Sequence, residues 1–107
     1  MCSSDLYRFG LGWAQRALGR IALAGGRSAE AAEHLAQAVQ TFGSMRARFE
    51  LARTQLDLAR ALHAQGDGKA AATTLRSADE QFRSLKISRY VARSEWLARK
   101  LRIELER

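Results

Sequence analysis

The 107-residue chain has no proline, one cysteine and no long apolar run. Without proline, nothing in the chain forces a break inside a helix. With Cys2 as the sole thiol, an intrachain disulfide is excluded. No apolar stretch approaches the roughly 18–20 residues that a membrane-crossing helix needs. No basic segment followed by an apolar one opens the chain, so a secretory signal is not read and a cytoplasmic setting is expected. Lysine is scarce as well, confined to Lys69, Lys86 and Lys100, so the net charge of +7 is carried almost wholly by arginine.

Catalytic signatures are also missing. His34 and His63 fall on different helical segments, and neither belongs to an H-E-x-x-H pattern. The glycine-rich turns lack G-x-x-x-x-G-K-[ST], so Gly66-Asp67-Gly68-Lys69 reads as a helix connection and not a phosphate loop. Glu30 with Glu33, and Asp79 with Glu80, are carboxylate pairs placed for helix ends or solvated faces. No catalytic, cofactor-binding or metal-binding residue is assigned, and the chain is not expected to be an enzyme.

What the chain does contain is an internal echo. Ala24-Gly25-Gly26-Arg27-Ser28-Ala29-Glu30-Ala31 returns forty residues later as Ala64-Gln65-Gly66-Asp67-Gly68-Lys69-Ala70-Ala71. The same offset joins Phe9 to Phe49, Leu18 to Leu58, Arg20 to Arg60, Leu35 to Leu75 and Phe42 to Phe82. A fixed period of this length marks one supersecondary unit used repeatedly. Such units stack and build extended surfaces that hold partners.

Within each unit the apolar periodicity is helical. The first segment runs from about Tyr7 to Ala24, with a start weakened by Gly10, Gly12 and Gly19, each costing roughly 1 kcal/mol against Ala. Gly19 takes the place of Ala59, and a small residue there would let a neighbouring helix approach closely. Gly25-Gly26 ends the segment. Ser28 reads as the N-cap of a second helix whose stripe is Ala31, Leu35, Ala38, Phe42 and Met45. A third helix, about Ala47 to Gln65, carries apolar residues on more than one side, as a central element of a stack should. Asp67 is placed to cap a fourth, with the stripe Ala71, Leu75, Ala78, Phe82 and Leu85. A fifth, Arg89 to about Glu106, opens a third unit whose second half echoes the third helix at an offset of 39.

The first six residues stand apart. Cys2-Ser3-Ser4-Asp5-Leu6 is what the string TGCTCTTCCGATCT encodes once its last codon is completed as leucine, and that string resembles a sequencing-adapter end. Residues 1–6 therefore read as a non-native scar rather than an ordinary N-terminus. The repeat domain then occupies 7–107, in units of about 7–46, 47–86 and a partial 87–107. On this reading the chain is a fragment of a longer protein.

Gly66-Asp67 followed by Ala71, Leu75 and Ala78, with Ala59 and Leu62 before them, resembles the tetratricopeptide repeat. Gly19, Ala22, Gly26, Ala31, Leu35 and Ala38 match in the first unit. The chain departs from that pattern in its period of 40 rather than 34, in lacking a closing proline, and in the small Ala22. The stretch from Phe49 to Leu62 followed by Gly66-Asp67 is similar to the repeat arrays that end bacterial LuxR-type transcription regulators and cyclase-linked ATPases. HEAT-like helical pairs, with periods of about 40–47 residues, are the alternative at the level of fold. The resemblance implies an all-α, right-handed stack of antiparallel helical hairpins, an α-solenoid fragment of about two and a half repeats.

The resemblance further implies that the first helix of each hairpin lines a concave surface. That puts Trp13, Arg16, Arg20, Arg53, Arg60 and His63 in a partner-binding groove. Its expected occupant is a protein or acidic peptide, or a neighbouring domain of the parent chain, because arginine forks pair with carboxylates. The alternative is a set of solubilising arginines, some pairing with Glu50 or Asp57. Two other classes stay open. Arginine-rich helices can grip nucleic acid phosphates, although Phe42 and Phe82 lie on core stripes where no base could stack. The chain could also be an oligomerisation segment of a larger enzyme, self-associating through exposed repeat ends.

Overall fold

The structure, a computed structural model, describes residues 2–106, with side chains from Leu6 onward. Five helices account for nearly all of it: α1 (Cys2–Ala24), α2 (Ser28–Ser44), α3 (Arg48–Ala64), α4 (Gly68–Ser84) and α5 (Ser88–Leu101). No strand occurs among the described residues. Helix α1 is continuous from Cys2, not broken and not delayed to Tyr7. The scar reading of residues 1–6 falls partly on Met1 and on side chains that lie outside the described residues.

The forty-residue echo resolves into a finer period. Helices α2, α3 and α4 are each 17 residues long and start at 28, 48 and 68, with α5 starting at 88. Every junction is the same three-residue turn. A left-handed residue follows each helix: Gly26 (φ 79°), Arg46 (57°), Gly66 (89°), Lys86 (58°) and, after α5, Arg102 (58°). The next amide closes onto the carbonyl five residues back: Arg27 to Ala22, Ala47 to Phe42, Asp67 to Leu62, Ile87 to Phe82 and Ile103 to Ala98, at 2.8–3.0 Å. This hydrogen-bond pair satisfies carbonyls that a helix end leaves without partners. The turn inside a hairpin and the turn between hairpins are therefore identical.

Two local expectations change and one holds. Arg27, not Ser28, holds the N-cap position of α2, and no side chain caps it. Asp67 does cap α4, its Oδ1 accepting from the Ala70 amide at 3.2 Å. Helix α5 ends at Leu101 and not near Glu106, because Arg102 turns left-handed. Ile103 and Leu105 then fold back against the core beside α5, and Arg76 of α4 holds this tail by donating to the Glu104 carbonyl (2.7 Å) and pairing with Glu106 (3.1 Å).

Each helix packs on its sequence neighbours, and the odd-numbered helices also touch one another. Helices α1, α3 and α5 therefore line one side and α2 and α4 the other. Helix α3 has two buried faces. Leu58 and Ala61 join Ala22, Ala31 and Leu35 in one core. Ala52, Leu56 and Ala59 join Leu75, Ala78, Phe82 and Leu97 in the other. The expected wide apolar arc on α3 is thus explained by contact on both sides.

The two complete units repeat several packing contacts. Phe9 meets Phe42 with centroids 6.3 Å apart, and Phe49 meets Phe82 at 6.2 Å. Gly12 and Gly19 of α1 stand where α3 has the buried Ala52 and Ala59. A Cβ at Gly12 would lie 2.6 Å from the Phe42 ring, and one at Gly19 would overlap the Leu35 side chain. Both glycines are spacers for close approach, and their cost to helix propensity is offset by packing. The third unit keeps the offset of 40 and not 39: Ser94 is buried and donates to Tyr90 O as buried Thr54 donates to Glu50 O, each at 2.8 Å.

Candidate functional site: a basic cleft between the odd-numbered helices

The side made by α1, α3 and α5 carries a cleft of about 690 Å³. Arg20 of α1, then Arg53 and Arg60 of α3, then Arg89, Arg93 and Arg99 of α5 supply its cations, and Asp57 is the single acid lining it. Leu56 and Leu97 form an apolar floor, with Tyr90 and Trp96 along the α5 wall. The volume lies within the range of ligand pockets, and the mix of apolar floor and charged rim suits a polar chain with a few apolar side chains.

Helical spacing explains the alignment. Arg53 and Arg60 are seven residues apart, two turns along one face, and Arg89, Arg93 and Trp96 repeat the spacing on α5. Asp57 is buried and organises the α1–α3 junction: it accepts from Arg20 Nε at 2.7 Å and faces Arg60 Nη1 at 3.8 Å. Arg53 lies 3.6 Å from Glu50 and stacks 5.5 Å from the Phe49 centroid. The expected pairing of these arginines with Glu50 and Asp57 is present, and it coexists with their position in the cleft.

Of the six groove residues expected from sequence, Arg20, Arg53 and Arg60 come together in this cleft. The other three do not line it. Arg16 is buried, donating to Glu50 Oε1 at 2.7 Å and Thr54 Oγ1 at 3.3 Å, and it lies over the Phe42 ring. It is a clamp between the first two units, with no face left for a partner. Trp13 is half exposed and packs on Phe9 at 5.6 Å, away from the lining. His63 is exposed near the end of α3. Asp79 corrects another expectation: it is buried against Arg83 (3.0 Å) and not on a solvated face.

Sequence reasoning missed the whole α5 wall. Arg93 follows Arg53 at the forty-residue offset, and that offset was the available signal. Trp96 gave none, because it replaces Leu56 of the unit before.

Antiparallel helical pairs in series, with one concave basic side and an apolar spine, define a repeat scaffold. The model of the tetratricopeptide repeat matches residues 9–37 and 52–77, more than half of the chain. The chain belongs to the tetratricopeptide repeat family, whose repeats generally mediate protein–protein interaction. Comparison with curated proteins and with solved structures returns no match. No helix among the described residues is long and apolar enough to cross a membrane.

Proposed function

We propose that this chain is a protein-interaction module that captures an acidic segment of a partner, or of a neighbouring domain, in the cleft between α1, α3 and α5. The observation that carries this reading is the imbalance of the lining, six arginines against Asp57. Guanidinium forks bind carboxylates in pairs of parallel hydrogen bonds, and a concave surface of one sign concentrates ligands of the other. Leu56 and Leu97 would receive apolar side chains interspersed among the acids. The parent role that fits the sequence resemblance is the C-terminal array of a bacterial signalling or transcription regulator, working without chemistry of its own.

Fluorescence anisotropy with a labelled glutamate-rich peptide tests the reading, against a lysine-rich peptide of equal length. The glutamate peptide should bind, weaken as salt rises, and lose at least about tenfold in affinity when Arg53→Ala and Arg60→Ala are combined, with helicity unchanged. Equal affinity in the double variant removes these residues from the site.

A second reading has its own observation. Tyr7, Leu11, Leu18 and Ile21 on α1 are exposed, and with Ala14 they recur at steps of four and three, the spacing of a coiled-coil seam. The counterparts of Ala14, Leu18 and Ile21 forty residues on, Thr54, Leu58 and Ala61, are buried, Leu58 and Ala61 in the core shared with α2. An antiparallel pair of α1 helices from two copies, crossing between Ala14 and Gln15, would set Leu11 opposite Leu18. Sedimentation should show a concentration-dependent dimer that Leu18→Ser dissolves, and a monomer at all concentrations would dismiss the pairing.

A further inference from the structure

The α5 end of the cleft gathers three guanidinium groups around one aromatic ring. Arg53, Arg89 and Arg93 place their guanidinium carbons 5.9, 5.6 and 5.6 Å from the centroid of one ring, Tyr90. That ring is fixed from behind by Phe49 at 5.1 Å and Phe82 at 5.0 Å. Arg16, Arg20, Arg27, Arg60, Arg76 and Arg83 each have an acid within 4 Å. Arg89 and Arg93 have none among the described residues, and neither does Arg99, which lines the same cleft. Three like charges therefore share one aromatic platform with only the Glu50 contact of Arg53, at 3.6 Å, to offset them.

The backbone adds to the imbalance. Arg89 occupies the first turn of α5, where the helix dipole is positive and a cation is disfavoured. Helices α2 and α3 carry Glu30 and Glu50 in their first turns, and α5 carries no acid there. The Tyr90 ring attracts each cation but leaves their mutual repulsion unneutralised, and an anion of more than one charge among them would neutralise it.

We infer that Arg53, Arg89 and Arg93 around Tyr90 form a dianion subsite that receives a phosphorylated side chain of the bound partner segment. A carboxylate has one charge and two oxygens, which a single guanidinium fork satisfies. A phosphomonoester has close to two charges and three acceptor oxygens, enough for three forks gathered around one ring. The inference deepens the acidic-segment reading and rests on it for the source of the phosphate, while the anion chemistry of the subsite stands separately.

Calorimetric titration of the whole chain at fixed ionic strength tests both parts. The probes are inorganic phosphate, acetate, and one glutamate-rich peptide carrying a central serine, phosphoserine or glutamate. Inorganic phosphate should bind where acetate does not, and the phosphoserine peptide should bind about tenfold tighter than its glutamate form. Arg89→Gln with Arg93→Gln should erase that difference, whereas Lys69→Gln, outside the cleft, should preserve it. Arg89→Glu should raise the unfolding midpoint in phosphate-free buffer and abolish phosphate binding, a combination that a merely structural arginine would not give.

Equal affinity of the phosphoserine and glutamate peptides overturns the inference and leaves the acidic-segment reading intact. Phosphate binding that needs Arg89 and Arg93, without binding of any peptide, overturns the peptide source and the acidic-segment reading but keeps the anion site. A single-stranded oligonucleotide that outcompetes the phosphoserine peptide overturns it in favour of a phosphodiester.

Discussion

Replacing Arg46 and Lys86 by glycine should stabilise the fold. Both residues sit at the left-handed position after a helix, at φ 57° and 58°, where the equivalent turns use Gly26 and Gly66. A left-handed conformation costs an L-residue about 1–2 kcal/mol. Glycine removes that strain but loses about 0.5–1 kcal/mol through the freedom of the unfolded chain. Both side chains are exposed, and neither forms an ion pair or a side-chain hydrogen bond among the described residues, so truncation forfeits no polar contact there. The net gain is about 0.5–1 kcal/mol at each site, and roughly 3 °C in the thermal midpoint for a domain of this size. The sites are forty residues apart and should add. Circular dichroism melts of Arg46→Gly, Lys86→Gly and the double variant measure it. Gly66→Ala should move the midpoint the opposite way by about 1 kcal/mol. A lower midpoint in both glycine variants would refute the reasoning, by showing that the long side chains contribute more than the backbone strain removes.

Other substitutions probe the packing. Gly10 has open space around its Cβ position and Gly19 has Leu35 against it, so Gly10→Ala should stabilise by up to about 1 kcal/mol and Gly19→Ala destabilise by about 1–2 kcal/mol, read from urea midpoints. Arg16→Met strips Glu50 of its 2.7 Å partner while Arg53 stays at 3.6 Å; because Glu50 keeps that second cation, the loss should be about 2 kcal/mol, below the usual figure for a broken buried pair. Asp67→Ala removes the one N-terminal side-chain cap among α2 to α5, and chemical denaturation should show a loss of about 1 kcal/mol.

The hairpin architecture was legible because glycine marks two of the turns and the core stripes repeat at forty residues. The other turns were hidden: Arg46, Lys86 and Arg102 adopt a backbone conformation that their side chains do not advertise. That is why α5 looked five residues too long and why the twenty-residue period went unseen. At the site, Arg20, Arg53 and Arg60 followed from helical spacing. Arg16 did not, because an arginine reads as exposed until a buried acid, here Glu50 from thirty-four residues away, is brought to it. The α5 wall depends on how the third unit stacks, which periodicity within one helix does not encode.

The identity of all the junctions has an evolutionary consequence. Adding a single helix with its turn, twenty residues, would leave every joint satisfied yet send all later helices to the opposite side, carrying the arginine wall onto the face made by α2 and α4. Adding two at once restores the alternation. A chain assembled this way can lengthen freely only by even increments, so duplication in forties conserves its inward-facing chemistry where duplication in twenties would turn it inside out.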